Sequence, residues 1–137
     1  MLITPLKPLL LLEHAVLDGD HRVFLEAVER IVASDSATFP AQFRQMLEHT
    51  EAHFARENEL MDKYAFPSVR EHKGEHLRVQ GEFQQFMKRV DRGFIQFGRM
   101  FVLERLVPWF ELHLPTMDSA LVAHIHKVAA SAARAHG

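Results

Sequence analysis

Side chains that bind metals well recur along this chain in the order His21, His53, Glu57, His72, His76, His113 and Asp118. Five are imidazoles and two are carboxylates, a mixture suited to first-row transition ions and to iron in particular. Each carboxylate can bridge two cations and share their charge inside a low-dielectric interior. Together with one oxo or hydroxo bridge, the set fills all but one position on two six-coordinate ions, and a small ligand could use the position left open. With His at 10 of 137 positions, one pair spaced i, i+4 arises by chance about once in such a chain, so the weight lies on the ensemble.

The spacing asks for helices. His53 and Glu57 are four residues apart, as are His72 and His76, so each pair projects from one helical face about one turn (~6 Å) apart. A turn near Phe66 would fold the two helices back on each other, with Glu57 nine residues before it and His76 ten after, hence at similar heights. His49 offers an alternative pair with His53, one further turn (~6 Å) from the other donors. His113 falls at the end of a fourth helix. Pro115 is expected to break that helix and let Asp118 turn inward.

Apolar residues mark the elements that must position these groups. From Asp18, read as a cap, Val23, Phe24, Ala27, Val28, Ile31 and Val32 recur at three- and four-residue steps. Residues 34–39 have loop composition. Pro40 suits a first helical position, and the second helix runs to about Tyr64 with Phe43, Met46, Leu47, Phe54 and Leu60 on its face. Pro67 forces a turn, and a third helix spans about Ser68 to Val90. Gly93 and Gly98 should loosen the chain before a fourth apolar segment through Met100, Val102, Leu103, Leu106, Trp109, Phe110 and Leu114, kinked at Pro108 and stopped at Pro115. Phe39, Phe43, Phe83, Phe86, Phe94, Phe97 and Phe101 read as core. Residues 119–135 are Ala-rich and suit a fifth, peripheral helix. Short loops between helices imply antiparallel neighbours. The expected fold is all-α, an antiparallel up-down-up-down four-helix bundle with a short additional C-terminal helix. It forms one domain over residues 1–137: a lead-in at 1–17, the bundle at 18–118 and a C-terminal segment at 119–137.

Composition narrows the function. The chain is 47% hydrophobic and can bury one core, and its net charge of -2 comes from 16 basic and 18 acidic residues scattered along it. No cationic face is dense enough for nucleic acid. The absence of cysteine excludes disulfides, iron–sulfur clusters and thiolate zinc, and agrees with a cytoplasmic location. The apolar run Leu9 to Leu12 is too short for a membrane span and reads as a lead-in that packs on the bundle. No Glu has a His three residues later, and no H-E-x-x-H occurs, so ferritin-like and zincin sites are absent. The remaining histidines, His14, His124, His126 and His136, read as structural or solvent-facing.

The residues carry a resemblance. Asp18-Gly-Asp-His21, His53-Phe-Ala-Arg-Glu57 with Leu60-Met61, Tyr64 and Pro67, His72-Lys-Gly-Glu-His76, and Trp109 with His113-Leu-Pro-Thr-Met-Asp118 are together similar to the hemerythrins, specifically to single-domain bacterial hemerythrin-like proteins. The resemblance covers about residues 14 to 120. It implies two iron ions bridged by Glu57 and Asp118 and by an oxo or hydroxo group. One iron would take His72, His76 and His113; the other would take His21 and His53 and keep the open position for O2. Phe54 and Trp109 would line the pocket and exclude water. Asn58 departs from the family pattern, in which a second acid often follows the bridging Glu, and is expected to point off the axis. The implied function is reversible O2 binding for storage, delivery or sensing. The alternatives are a di-iron enzyme reducing nitric oxide or peroxide or oxidising ferrous iron, and a metal- or oxygen-dependent regulatory module. The partner is O2 or another small diatomic. The sequence names no protein partner and leaves homo-oligomer formation open.

Overall fold

The computed structural model describes Leu12 and residues 14–136, with the side chains of 135 and 136 excepted. Four antiparallel helical rods form the bundle: α1 (Ala15–Ala33), α2 (Phe39–Lys63), α3 (Val69–Asp91), and a long fourth rod from Ile95 to His136. That rod comprises α4 (Ile95–Met100), α5 (Val107–His113) and α6 (Ser119–His136), joined by π-helical turns at Phe101–Leu106 and Leu114–Asp118. Among the described residues there is no strand, and no helix is long and apolar enough to cross a membrane.

The helices form because each carries a buried stripe at helical spacing: Leu17, His21, Phe24, Leu25, Val28 and Ile31 in α1, and His72, His76, Val79, Phe83, Phe86, Met87 and Val90 in α3. The metal-binding residue types lie on these stripes, so the packing that forms the bundle also turns them inward. Burial divides into two apolar clusters. The larger gathers Phe24, Phe39, Phe43, Phe83, Phe101, Phe110 and their neighbours from all four rods. The smaller joins Leu17, Met61, Phe66, Leu121, Val122 and Ile125 at the opposite end. Each large side chain fully removed from water contributes about 1.5–3 kcal/mol before entropy is charged against it.

The helix ends differ in detail from the sequence reading. α1 opens at Ala15, not Asp18; His14 is its cap and accepts from the Leu17 N–H at 3.3 Å. Asp18 sits in the first turn and reaches back to accept from the Leu12 N–H at 2.8 Å and the His14 N–H at 3.3 Å. Leu12 packs against both apolar clusters; the rest of the lead-in, Leu9 to Leu11 included, lies outside the described residues. α2 opens where Asp35 accepts from the Thr38 N–H at 2.9 Å, with Pro40 in its first turn.

The largest correction concerns the prolines. Pro115 does not stop the fourth rod, Pro108 adjoins a local distortion of the helix as expected, and backbone angles stay helical through Leu106, His113, Leu114 and Ser119. Proline normally breaks a helix because it lacks an N–H and crowds the carbonyl four residues back. Here each proline adjoins or lies within a π-turn, where that ladder is already widened: the Val107 N–H reaches Val102 and the Ser119 N–H reaches Leu114, five residues back. α6 therefore continues the fourth helix, and its first half closes the small cluster instead of lying peripherally.

Gly93 does allow a turn, at φ 94°. Gly98 works the other way: a Cβ there would stand 2.6 Å from both the Phe39 ring and Val90 Cγ2, so the missing side chain lets α4 pack close. Of the aromatics expected in the core, Phe94 and Phe97 are exposed at that end of the bundle and contact each other. Val23, Val32 and Leu103, expected on apolar faces, also reach solvent.

Candidate metal centre

The donors occupy a polar layer between the two apolar clusters. Sequence spacing explains the layer: His21 lies one turn after Leu17 and one before Leu25, and Glu57 one turn before Met61 and one after Phe54. The structure brings all the anticipated side chains together. Glu57, His72, His76, His113 and Asp118 offer atoms within 4.8 Å of one another, and so do His21, His53, Glu57 and Asp118. Both groups contain Glu57 and Asp118, the geometry a bridging carboxylate requires. All are buried, at 8% exposure or less.

Every imidazole presents Nε2 to a carboxylate oxygen. His76 Nε2 is 3.0 Å and His53 Nε2 is 3.5 Å from Glu57 Oε1. His113 and His72 stand 3.0 and 3.2 Å from Asp118 Oδ1, and His21 is 3.2 Å from Oδ2. His113 and Asp118 are five residues apart, which on a regular α-helix separates them by about 140° around the axis. The π-turn at Leu114–Asp118 closes i to i+5 and stacks one over the other. Asp118 thus turns inward through a widened helix, not through a helix end.

The donor chemistry fits cations. His53 Nδ1–H donates outward to Asp20 Oδ2 at 2.9 Å, and His76 Nδ1–H to Asn58 Oδ1 at 2.9 Å. A neutral ring that donates from Nδ1 keeps its Nε2 lone pair facing inward. Lone pair then meets carboxylate oxygen, an arrangement that requires positive charge between them. Consistent with this, both oxygens of Glu57 and of Asp118, together with His21 Nε2 and His76 Nε2, have no hydrogen-bond partner despite full burial.

Electrostatics describe the same demand. Burial alone would raise the Asp118 carboxyl, but His113, His21 and His72 hold it well below the usual range. Burial and Asp118 raise Glu57, and His53, His72 and His76 outweigh them. Burial lowers the His72 imidazole, yet Asp118 and Glu57 push it up to about 9. His76 stays lowered, chiefly by burial. The two carboxylates are ionised and recruit whatever positive charge is at hand.

A scan against protein-family models matches residues 13–125 to the hemerythrin HHE cation binding domain. The chain belongs to the hemerythrin family. A bacteriohemerythrin of Ralstonia nicotianae is 32% identical over 104 residues, covering 76% of this chain and 75% of that protein. No solved structure matches the chain.

Residues whose roles the sequence did not reveal surround this hemerythrin-family cluster. Asp20, beside His21, anchors His53 and is itself clamped by Arg56 at 2.8 and 2.7 Å. Burial tends to raise its carboxyl, and the bonds from His53 and Arg56 drive it far below the ordinary value. The signal was present as an acid next to one donor and an Arg three residues after another. Asn58 does not point off the axis: it accepts from His76, which corrects the expectation. Glu75 accepts from the Trp109 indole N–H at 2.9 Å and is held at about 2 by Arg78 first and Trp109 second. Trp109 in turn stacks on His113 at 4.2 Å, and Phe54 on His76 at 4.1 Å.

A narrow cavity of about 10 Å³ adjoins the layer, lined among others by His21, His53, Thr50, Phe54, Leu106, Trp109 and Phe110. That free volume suits one water-sized molecule. Phe54 and Trp109 stand in its wall. His49 also lines it, but its ring contacts the Asp20 carbonyl at 3.1 Å and is not among the grouped donors. His124 contacts the Tyr64 carbonyl at 2.7 Å; the His136 side chain lies outside the described residues.

Proposed function

We propose that this chain is a non-haem di-iron protein that reversibly binds O2, for storage, delivery or sensing. The observation that carries this reading is the sharing of Glu57 and Asp118, whose four buried oxygens have no hydrogen-bond partner, by two groups of buried donors. His72, His76 and His113 would hold one ion, and His21 and His53 the other, with Glu57 and Asp118 held in common. The second position has fewer imidazoles, and both of them line the small cavity, against His113 alone of the first position's three, which supports it as the place where a small ligand enters. An iron pair supplies reversible electron exchange with oxygen.

The chain's own residues set the conditions. Asp20 and Asn58 fix the tautomers of His53 and His76, so the donor atoms need no rearrangement when metal arrives. Phe54, Leu106, Trp109 and Phe110 exclude bulk water, which slows hydrolytic loss of a bound ligand. Among the described residues lining the cavity, Asp118 is the one carboxylic acid. With Asp118 assigned as a bridge, the wall lacks an acid free to drive turnover, which favours binding over catalysis.

The test is the visible spectrum of purified protein, reduced without oxygen and then aerated, beside its iron content. Two irons per chain and a charge-transfer band that appears with O2 and disappears on deoxygenation are expected. A band that only decays to the ferric form would favour the enzyme or regulatory alternatives, and lack of iron would overturn the site.

A further inference from the structure

Thr50 lies on α2 one turn before His53 and is 4% exposed. It lines the cavity, and its Oγ1 is buried without any hydrogen-bond partner. A helical threonine ordinarily bonds back to a carbonyl of its own preceding turn. Thr116 in this same chain does so, with Oγ1 donating to the Leu112 carbonyl at 2.6 Å. Thr50 does not, and a buried hydroxyl left unused is costly. Of the other polar side chains in the cavity wall outside the donor cluster, His49 is engaged with the Asp20 carbonyl and Trp109 donates to Glu75. Among the described residues, the Thr50 hydroxyl is therefore the side-chain donor outside the metal cluster that this wall keeps free.

We propose that Thr50 donates a hydrogen bond to the small ligand in this cavity and selects ligands that carry an accepting atom at their free end. The proposal rests on the function argued above and adds a specificity-determining residue to it. A ligand with a negatively polarised outer atom gains the Thr50 bond; one without it leaves the hydroxyl buried and unpaired. The residue discriminates by affinity and by dissociation rate, not by electron transfer.

Azide is the probe, with the oxidised iron-loaded protein compared as wild type, Thr50→Val and Thr50→Ser. Valine keeps the shape and removes the hydroxyl, and serine restores it. All three are expected to load equal iron. Azide should leave Thr50→Val about tenfold faster, the loss of roughly one hydrogen bond. The azide vibration should shift between H2O and D2O in wild type and Thr50→Ser and not in Thr50→Val. In the iron-free state Thr50→Val should melt several degrees higher than wild type, because an unsatisfied buried group has been removed. Equal azide rates and equal isotope responses at normal iron loading would overturn the donor role alone. A lower melting point for iron-free Thr50→Val would do the same, by placing the hydroxyl in a structural bond. Failure of the wild-type chain to take up iron would overturn the di-iron reading and this proposal with it.

Discussion

Replacing Asp20 with alanine should weaken one metal position and spare the other. The carboxylate accepts from His53 Nδ1 at 2.9 Å, with side-chain exposures of 10% and 12% for His53 and Asp20, so water cannot replace the lost partner freely. A hydrogen bond to a charged group is worth about 1.5–3 kcal/mol, and loss of such a support behind a ligating imidazole lowers metal affinity about 10- to 100-fold. His76 relies on Asn58 instead and does not touch Asp20. Arg56, also released, has a side chain 39% exposed and returns to solvent at little cost. Asp20→Asn keeps an acceptor without its charge and should fall between. An anaerobic calorimetric titration with ferrous iron reads the outcome as two binding events, of which only the weaker should shift. Equal weakening of both events would mean that Asp20 acts through its net charge alone, and no change in either would refute the argument from ring orientation.

Glu57→Ala and His72→Ala should each abolish the visible chromophore while far-ultraviolet circular dichroism stays near wild type, because both apolar clusters persist without them; full iron with normal oxygen adducts would remove that residue from the site. Stripping metal with a chelator should lower the melting temperature, since an ion that binds only the folded state stabilises it by about 2.7 kcal/mol when free metal is a hundredfold above its dissociation constant; an unchanged melting curve would count against the buried donors as ligands. Asn58→Asp puts a charge behind His76 and makes that imidazole a stronger donor, so the reduction potential measured by redox titration should fall, and a rise would contradict the assigned hydrogen bond. Gly98→Ala should cost about 1–3 kcal/mol through the overlap with Phe39 and Val90, with iron content unaffected; a melting temperature at or above wild type would show that α4 can shift freely.

The donors were legible because helical spacing alone decides which residues share a face. His53 with Glu57, and His72 with His76, needed only the 3.6-residue period and a turn near Phe66 to be brought opposite one another. The relation of His113 to Asp118 was legible as membership and illegible as geometry. Proline reads locally as a stop, whereas the hydrogen-bond ladder here widens around Pro108 and Pro115 and carries the helix on. Gly98 illustrates a second ambiguity: a missing side chain serves looseness or close contact equally well, and only the neighbours Phe39 and Val90 decide. Phe94 and Phe97 have core composition but fall where the bundle ends, and among the described residues they remain exposed, with Arg89 over the Phe97 ring. The part played by Asp20 was missed and the direction of Asn58 misjudged because both act on rings of other residues, a relation fixed by three-dimensional packing and not by spacing along one helix.

The polar layer divides the buried apolar side chains into two unequal clusters, so the two ends of the bundle should behave as unequal foldons that a bound metal would join. The small foldon has Leu17, Met61, Phe66, Leu121, Val122 and Ile125 as its buried apolar side chains, and the layer above it is the part of the interior where like charges repel unless cations join them. Metal in that layer would tie the first half of α6, the α2–α3 turn and the first turns of α1 to the main body. Without metal that end should open at a lower free energy than the rest, so hydrogen exchange in the small foldon would report metal occupancy from outside the site.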